Sequence, residues 1–344
     1  MSSPPPQMQV QPQRLLFAVP GNEALARDLS YAGAGDLGSI ETRNFPDGET
    51  YARFVDDVMG KAVLLVSTLA RPDAGFLRLI FLADAARSLG AASVTLVAPY
   101  LAYMRQDRRF RPGEAVTSQT FARLISSSFD RLVTVDPHLH RYPALSALYD
   151  IPALTLHAAP LLADWIAASV DKPLIIGPDE ESEQWVSAIA SRISAPHTVL
   201  RKVRHGDRDV EISLPDLSQW AGLQPVLVDD IASSGTTLIE AARKLPLQGF
   251  SRPDVAVVHG IFASDSYARL TPLCGRIASS DSVSHPTNAI ALSQMIADAI
   301  AAADAPDTEL IRHRRPPEFV DEVTQAGIDS FPASDPPPRT GGAA

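Results

Sequence analysis

The sequence predicts an α/β protein made of two similar units, each a mostly parallel sheet flanked by helices. Three observations predict it. Short β-branched runs alternate with segments of helical period, those runs are apolar throughout rather than on alternate residues, and the whole pattern passes through twice. The strand candidates in order are "LLFAV" (15–19), "AVLLVST" (62–68), "SVTLVAPY" (93–100) and "RLVTVD" (131–136), then "PLIIGPD" (173–179), "HTVLRKV" (197–203), "PVLVDD" (225–230) and "VAVVHGIFA" (255–263). A helix is expected over 72–89, with Pro72 at its start and Gly90 at its end. Further helices are expected over about 117–128, 158–170, 180–194, 237–245 and 287–303. A break near 150–170 divides the chain into units 14–160 and 161–311. The Pro/Gln-rich start (1–13) and the Pro-rich end (312–344) carry little periodicity and are expected to be mostly disordered.

Composition removes several function classes. The chain has 344 residues, 45% of them hydrophobic, which is enough to bury a large core in about two domains. Its formal charge of −10 argues against a general binder of nucleic acid or anionic membrane. Cys274 is the single cysteine, so neither an internal disulfide nor a multi-cysteine metal site can form, as suits a reducing cytoplasm. The opening "MSSPPPQMQVQPQ" has no apolar core and does not read as a secretion signal. No apolar run approaches the roughly 18 residues that cross a bilayer. A cytoplasmic protein without nucleic-acid or membrane partners is the expectation.

In open parallel sheets ligands bind beyond the carboxyl ends of the strands. One such end is "VLVDDIASSGTT" (226–237), where an apolar strand runs into Asp229 and Asp230 and then a small-residue loop. One carboxylate capping the turn would account for the pair. The alternative is a ligand with hydroxyls beside a phosphate. Amides at a helix start, with Ser233, Ser234, Gly235, Thr236 and Thr237 leaving room, would hold the phosphate, and the carboxylates would accept from vicinal hydroxyls. That describes ribose 5-phosphate. No G-x-x-x-x-G-K-[ST] string occurs.

Two cationic segments stand out in this acidic chain, "RQDRRFRPGE" (105–114) and "RKVRHGDR" (201–208). Either alone could be a solvated basic face. Both follow predicted strands, however, and Arg/Lys clamps are what phosphoryl chemistry needs.

These stretches together resemble the ribose-phosphate pyrophosphokinase family over about residues 14–300. The motifs are "NFPDGETYARF" (44–54), "PYLAYMRQDRRFRPGEAVTSQTFARLI" (99–125), "VTVDPHLH" (133–140), "IGPDEESEQWV" (176–186), "RKVR" (201–204) and the 226–237 loop. The resemblance implies two phosphoribosyltransferase-type domains. It also implies transfer of the diphosphoryl group of ATP to the 1-hydroxyl of ribose 5-phosphate, with Mg2+ as cofactor and a homo-oligomeric assembly. By the same resemblance Phe45, Asp47 and Glu49 hold the nucleotide base, and Arg105, Gln106 and Asp107 lie along its phosphates and ribose. His138 and Asp179 serve the metal, Lys202 and Arg204 sit on a mobile catalytic segment, and the loop of Asp229, Asp230 and 233–237 takes the sugar phosphate. Members often carry Gly where Thr236 stands, so a left-handed backbone there would strain this chain. Two other functions stay open. A nucleobase phosphoribosyltransferase would need the loop but not "FPDGE" or "RQDR", and a non-catalytic regulatory paralogue would be expected to lack Lys202, Arg204 or His138.

Overall fold

The computed structural model describes residues 12–139, 141–179, 182–204 and 210–304, without the side chains of 184, 201–204 and 210–213. The segments expected to be disordered lie almost wholly outside these residues, as does the polar segment 205–209.

The first half runs β1 (Arg14–Ala18), α1 (Glu23–Tyr31), β2 (Asp36–Leu37), β3 (Ile40–Asn44), β4 (Thr50–Phe54), β5 (Ala62–Val66), α2 (Phe76–Ser88), β6 (Ser93–Val97), α3 (Thr117–Ser128), β7 (Arg131–Val135) and β8 (Ala153–Leu156). The second runs α4 (Ala159–Ser169), β9 (Pro173–Gly177), α5 (Glu183–Arg192), β10 (His197–Val199), β11 (Arg201–Arg204), β12 (Val210–Ser213), β13 (Gln224–Ala232), α6 (Thr236–Lys244), β14 (Asp254–Gly260), α7 (Ser266–Leu270), β15 (Ile277–Ser280), β16 (Asn288–Ile290) and α8 (Ser293–Ala303). Each half holds a six-stranded parallel sheet, ordered β2-β1-β5-β6-β7-β8 and β10-β9-β13-β14-β15-β16. By rank the two orders are identical. An antiparallel hairpin also leaves each half at the same point, between its second and third strands: β3–β4 in one and β11–β12 in the other.

The apolar strands bury both faces because successive side chains alternate across a sheet. In β5, Val63 and Leu65 enter one core, while Leu64 and Val66 enter another. In β13, Leu227 faces an outer core and Val226 and Val228 the inner one. The inner core is common to both halves. It joins Leu25 and Leu29 of α1, Leu162 and Ile166 of α4, Ile189 of α5 and Ile296 and Ile300 of α8 with strands of both sheets. Asp304, just past α8, accepts from Arg14 Nε at 3.0 Å and Arg131 Nη1 at 2.6 Å, tying the end of the second half to β1 and β7.

Strands β2, β3, β4, β8, β12 and β15 and helices α1 and α7 stand where the sequence predicts none, and three of the predicted elements differ from their expected form. "HTVLRKV" is not one strand: His197–Val199 joins the parallel sheet, Leu200 is buried with its amide on Gly177 O, and Arg201–Arg204 leaves as a hairpin. The helix expected over 287–303 is an edge strand, Asn288–Ile290, followed by α8; the Asn288 side chain bonds Ser280 O and Val283 O and holds the chain extended. The helix expected from Pro72 starts at Phe76, because the Pro72 carbonyl first closes a turn with the amides of Gly75 and Phe76. Its predicted end holds, with Gly90 at φ +86° and its amide on Arg87 O. Among the described residues no helix is long and apolar enough to cross a membrane.

Because the inner core is shared, the halves should unfold together. Ile296→Ala, at a fully buried position, is expected to cost about 2–5 kcal/mol and lower one calorimetric transition as a whole. Two separating transitions would show the halves to be independent.

Candidate active site

Strand β13 carries Asp229 and Asp230 at its carboxyl end, still in register with β14, where Asp229 pairs with Val257 and Ile231 with His259. The two side chains hydrogen-bond each other, and they titrate in opposite directions. Burial, then the charges of Asp230 and Asp179, raise the Asp229 carboxyl well above the usual range. Burial also opposes ionisation of Asp230, but the hydrogen bond and charge of His138 outweigh it and bring the group down to about 2. Asp230 is therefore the member of the pair that ionises more readily, while burial resists ionisation of Asp229.

The loop that follows is fastened from below. Phe262 N donates to Ala232 O at 2.8 Å, while Ala263 N and Ser266 Oγ both donate to Ser233 O, at 3.0 and 2.9 Å. Gly235 caps α6 at φ +66°, where a Cβ would meet only ordinary contacts at 3.6 and 3.8 Å. The left-handed backbone, not lack of space, is what asks for glycine. Thr236 is the first helical residue and is not left-handed, so the strain expected there is absent. The Ser234 and Thr236 hydroxyls lie 3.3 Å apart beside the first amides of α6, which have no partners within the helix.

The other wall comes from the first half. At the end of β7, Asp136 takes φ +36°, a conformation rare outside glycine. Its carboxylate accepts from His157 Nδ1 at 2.9 Å and Ala158 N at 2.8 Å. Two residues on, His138 Nδ1 meets Asp230 Oδ2 at 2.9 Å. This bond joins residues 92 positions apart and connects the two halves at the site.

The arginine-rich loop before α3 is folded around Glu114, whose Oε2 accepts from the amides of Phe110 and Arg111. Gln106 is tied to the start of α3 through Ser118 N and Thr117 Oγ1, at 3.3 and 3.2 Å. Asp107 is held inside the chain, by Arg141 Nε at 3.3 Å on its carboxylate and Tyr142 Oη at 3.3 Å on its carbonyl. Burial raises the Tyr100 phenol, with the Arg105 charge lowering it and the Asp230 charge raising it.

Asp179 makes the turn its position suggests, accepting from Ser182 N at 3.3 Å, and its charge also reaches Asp229. The structure thus joins His138 to Asp230, beside Asp229, with Asp179 near enough for its charge to act on Asp229. Phe45, Asp47 and Glu49 lie on the β3–β4 tip. That tip is an Asp-Gly turn, with Glu49 N on Asp47 Oδ1 at 3.1 Å and Gly48 N on Phe45 O. Phe45 is 38% exposed and carries Arg43 over its ring at 4.6 Å. The described bonds of this tip run within the hairpin and, through Asn44, to Arg78 of α2. Lys202 and Arg204 lie on β11, opposite Ile212 and Val210. Among the described residues no three His, Cys, Asp or Glu side chains form a cluster that could hold a metal by themselves.

A family model described as the N-terminal domain of ribose phosphate pyrophosphokinase matches residues 14–128, and a phosphoribosyl transferase domain model matches 144–261. A ribose-phosphate pyrophosphokinase of Methanopyrus kandleri is 32% identical over 289 residues, 83% of this chain and 98% of that protein. One from Methanothermobacter thermautotrophicus is 33% identical over 83% of this chain and 99% of its own length. The chain belongs to the ribose-phosphate pyrophosphokinase family.

It is accordingly a transferase of diphosphate groups. The fold agrees: the crystal structure of phosphoribosylpyrophosphate synthetase from Mycobacterium smegmatis superposes with a TM-score of 0.74 at 22% identity, covering 85% of this chain and 98% of that one. Within this pyrophosphokinase frame, sequence reading passed over Arg141, Asp136 and His259. The first two stood inside or beside the quoted "VTVDPHLH", but a local pattern does not reveal partners at 107 and 157–158.

Asp281 lies beside this junction, half-buried, with Leu292 N donating to it at 2.9 Å. Burial raises its carboxyl from 3.8 to about 6, partly offset by that bond. A raised carboxyl favours folding below pH 4, and the benefit is lost as pH climbs through 6. Asp281→Asn keeps the acceptor without the charge. It should gain about 1–3 kcal/mol over wild type at pH 8 and nothing at pH 4, read as the difference in Tm across that range. A constant difference at all pH values would show that the charge is not the cause.

Proposed function

We propose that the chain transfers the β,γ-diphosphoryl group of ATP to the 1-hydroxyl of α-D-ribose 5-phosphate, releasing AMP and 5-phospho-α-D-ribose 1-diphosphate. O1 attacks the β-phosphorus, the bond from that phosphorus to the α,β-bridging oxygen breaks, AMP departs with the oxygen, and the O1 proton passes to solvent. The observation that carries this reading is the His138–Asp230 bond. It joins the Asp230 strand end of the second half, which this reading assigns to ribose 5-phosphate, to the His138 segment of the first.

Asp230 and Asp229 accept from the ribose hydroxyls, and Ser233, Ser234, Gly235, Thr236 and Thr237 receive the 5-phosphate. Phe45, Asp47 and Glu49 hold the nucleotide base. Arg105 and Gln106 face the nucleotide phosphates, with Asp107 fixing that segment through Arg141. Mg2+ fits this donor set, since it binds one or two carboxylates plus substrate phosphates and keeps several waters. When bound it would neutralise phosphate charge, and His138 and Asp179 would help to hold it. Lys202 and Arg204 meet the negative charge that grows on the bridging oxygen, so catalysis is positioning and charge stabilisation without a covalent intermediate.

The assay is ribose 5-phosphate, ATP and Mg2+, with nucleotide products separated. AMP is expected; ADP would mean ordinary phosphoryl transfer and overturn the proposal. Lys202→Ala should lower kcat by about 10²–10³-fold with only a small change in KM, because its interaction belongs to the transition state. Near-normal turnover would remove β11 from the chemistry.

The reading places the enzyme in the cytoplasm as a homo-oligomer. Leu77 and Phe81, one turn apart on α2 and 63% and 46% exposed, with Leu124 of α3 at 45%, offer an apolar face for a second copy. Leu77→Glu with Phe81→Glu should reduce the mass seen by light scattering; an unchanged mass would place the contact elsewhere.

A further inference from the structure

His259 is 1% exposed and belongs to no motif that carried the functional reading. Its Nε2 lies 3.0 Å from Val135 O and 3.3 Å from Asp136 O, both carbonyl acceptors, so Nε2 carries the proton. Nδ1 then accepts from Ser282 Oγ at 2.9 Å. The Ser282 hydroxyl also lies 3.1 Å from Val258 O, but that carbonyl already accepts from Ser280 Oγ at 2.6 Å, so the closer imidazole takes the Ser282 proton. Ser282 is itself held from the first half, its carbonyl accepting from Thr68 Oγ1 at 2.6 Å. Tyr100 closes the cage with its ring 5.0 Å from the imidazole, edge on. Burial lowers the imidazole pKa despite the charges of Asp230 and Asp136, which suits a neutral ring of fixed tautomer.

Both partners of the His138–Asp230 bond are connected to this one residue, Asp230 through its backbone and His138 through its side chain. Through the β-ladder His259 pairs with Ile231, the residue after Asp230. Through Nε2–H it holds the backbone at 135–136, two and three residues before His138. That backbone is strained at Asp136 (φ +36°), a conformation that persists only when its surroundings impose it. The Asp136 carboxylate is held from one side by His157 and Ala158, and its carbonyl from the other by His259.

We propose that His259 is a positioning residue: its Nε2–H bonds to Val135 and Asp136 set where His138 stands against Asp230, and so the distance between the donor and acceptor sides. The effect on turnover rests on the diphosphokinase reading above; the effect on the His138–Asp230 bond does not.

The test compares wild type with His259→Phe, which fills the space but cannot donate, and His259→Gln, whose amide N–H can. Turnover and KM are measured together with the ¹⁵N resonances of the His138 ring in histidine-labelled protein, assigned by His138→Gln. In His259→Phe, kcat should fall about 10- to 100-fold, as a displacement of up to 1 Å gives, with KM for ribose 5-phosphate within about threefold. The His138 Nδ1 resonance should move, and His259→Gln should restore both readouts in part. If His259→Phe does not fold, Ser282→Ala takes its place, with smaller changes in the same direction. Unchanged kcat and an unmoved His138 resonance would overturn the proposal. So would a KM that rises in step with the loss of kcat, or a His259→Gln protein no better than His259→Phe. Should no diphosphoryl transfer be found in wild type, a moved resonance still supports the positioning role, and an unmoved one rejects it.

Discussion

The inner core that α1, α4, α5 and α8 form with strands of both sheets determines where everything else in the molecule stands. Close-packed apolar interiors transmit position rather than absorbing it. Once Ile296 and Ile300 of α8 share a core with Leu25 and Leu29 of α1, the strand ends of the two halves have little freedom to separate. The ends of β7 and β13 then face each other, and a histidine and a carboxylate from different halves come within hydrogen-bond distance.

The site is also economical in its electrostatics. Two adjacent carboxyls in a buried place cannot both ionise without a partner. Here His138 supports the charge on Asp230, while burial and the neighbouring charges hold the Asp229 carboxyl up. Asp230 is thereby an acceptor already oriented by its bond to His138. The same logic of internal partners applies to Asp107, which Arg141 engages so that the arginine-rich loop is anchored to the His138 segment.

Repetition explains how the chain comes to carry two equivalent hairpins. Each half departs from its parallel sheet between the second and third strands, once as β3–β4 with Phe45 at the tip and once as β11–β12 with Lys202 and Arg204. A parallel sheet places the ends of its strands on one side, so such excursions are natural places to add ligand-facing residues without disturbing the core.

The α/β class, the two-fold repetition, most of the interior strands and the family were legible in the residues themselves. Apolar runs such as "AVLLV" and "VAVV" must bury both faces, and motifs such as "FPDGE" and "VLVDDIASSGTT" are each local information. The interior strand β15 and the edge strands β2, β8 and β16 were not legible, since two to four residues carry little period and their pairing is decided by the neighbour they lie against. The break at Leu200 is of this kind: "HTVLRKV" has one strand-like composition, but only contact with Gly177 and Val199's place in the sheet decide where it must leave. The residue types at the site were set by sequence. Which of them touch, His138 with Asp230, Asp107 with Arg141 and His259 with Val135 and Asp136, was decided by tertiary structure alone, because those partners lie far apart along the chain and meet only when two sheets close on a common core.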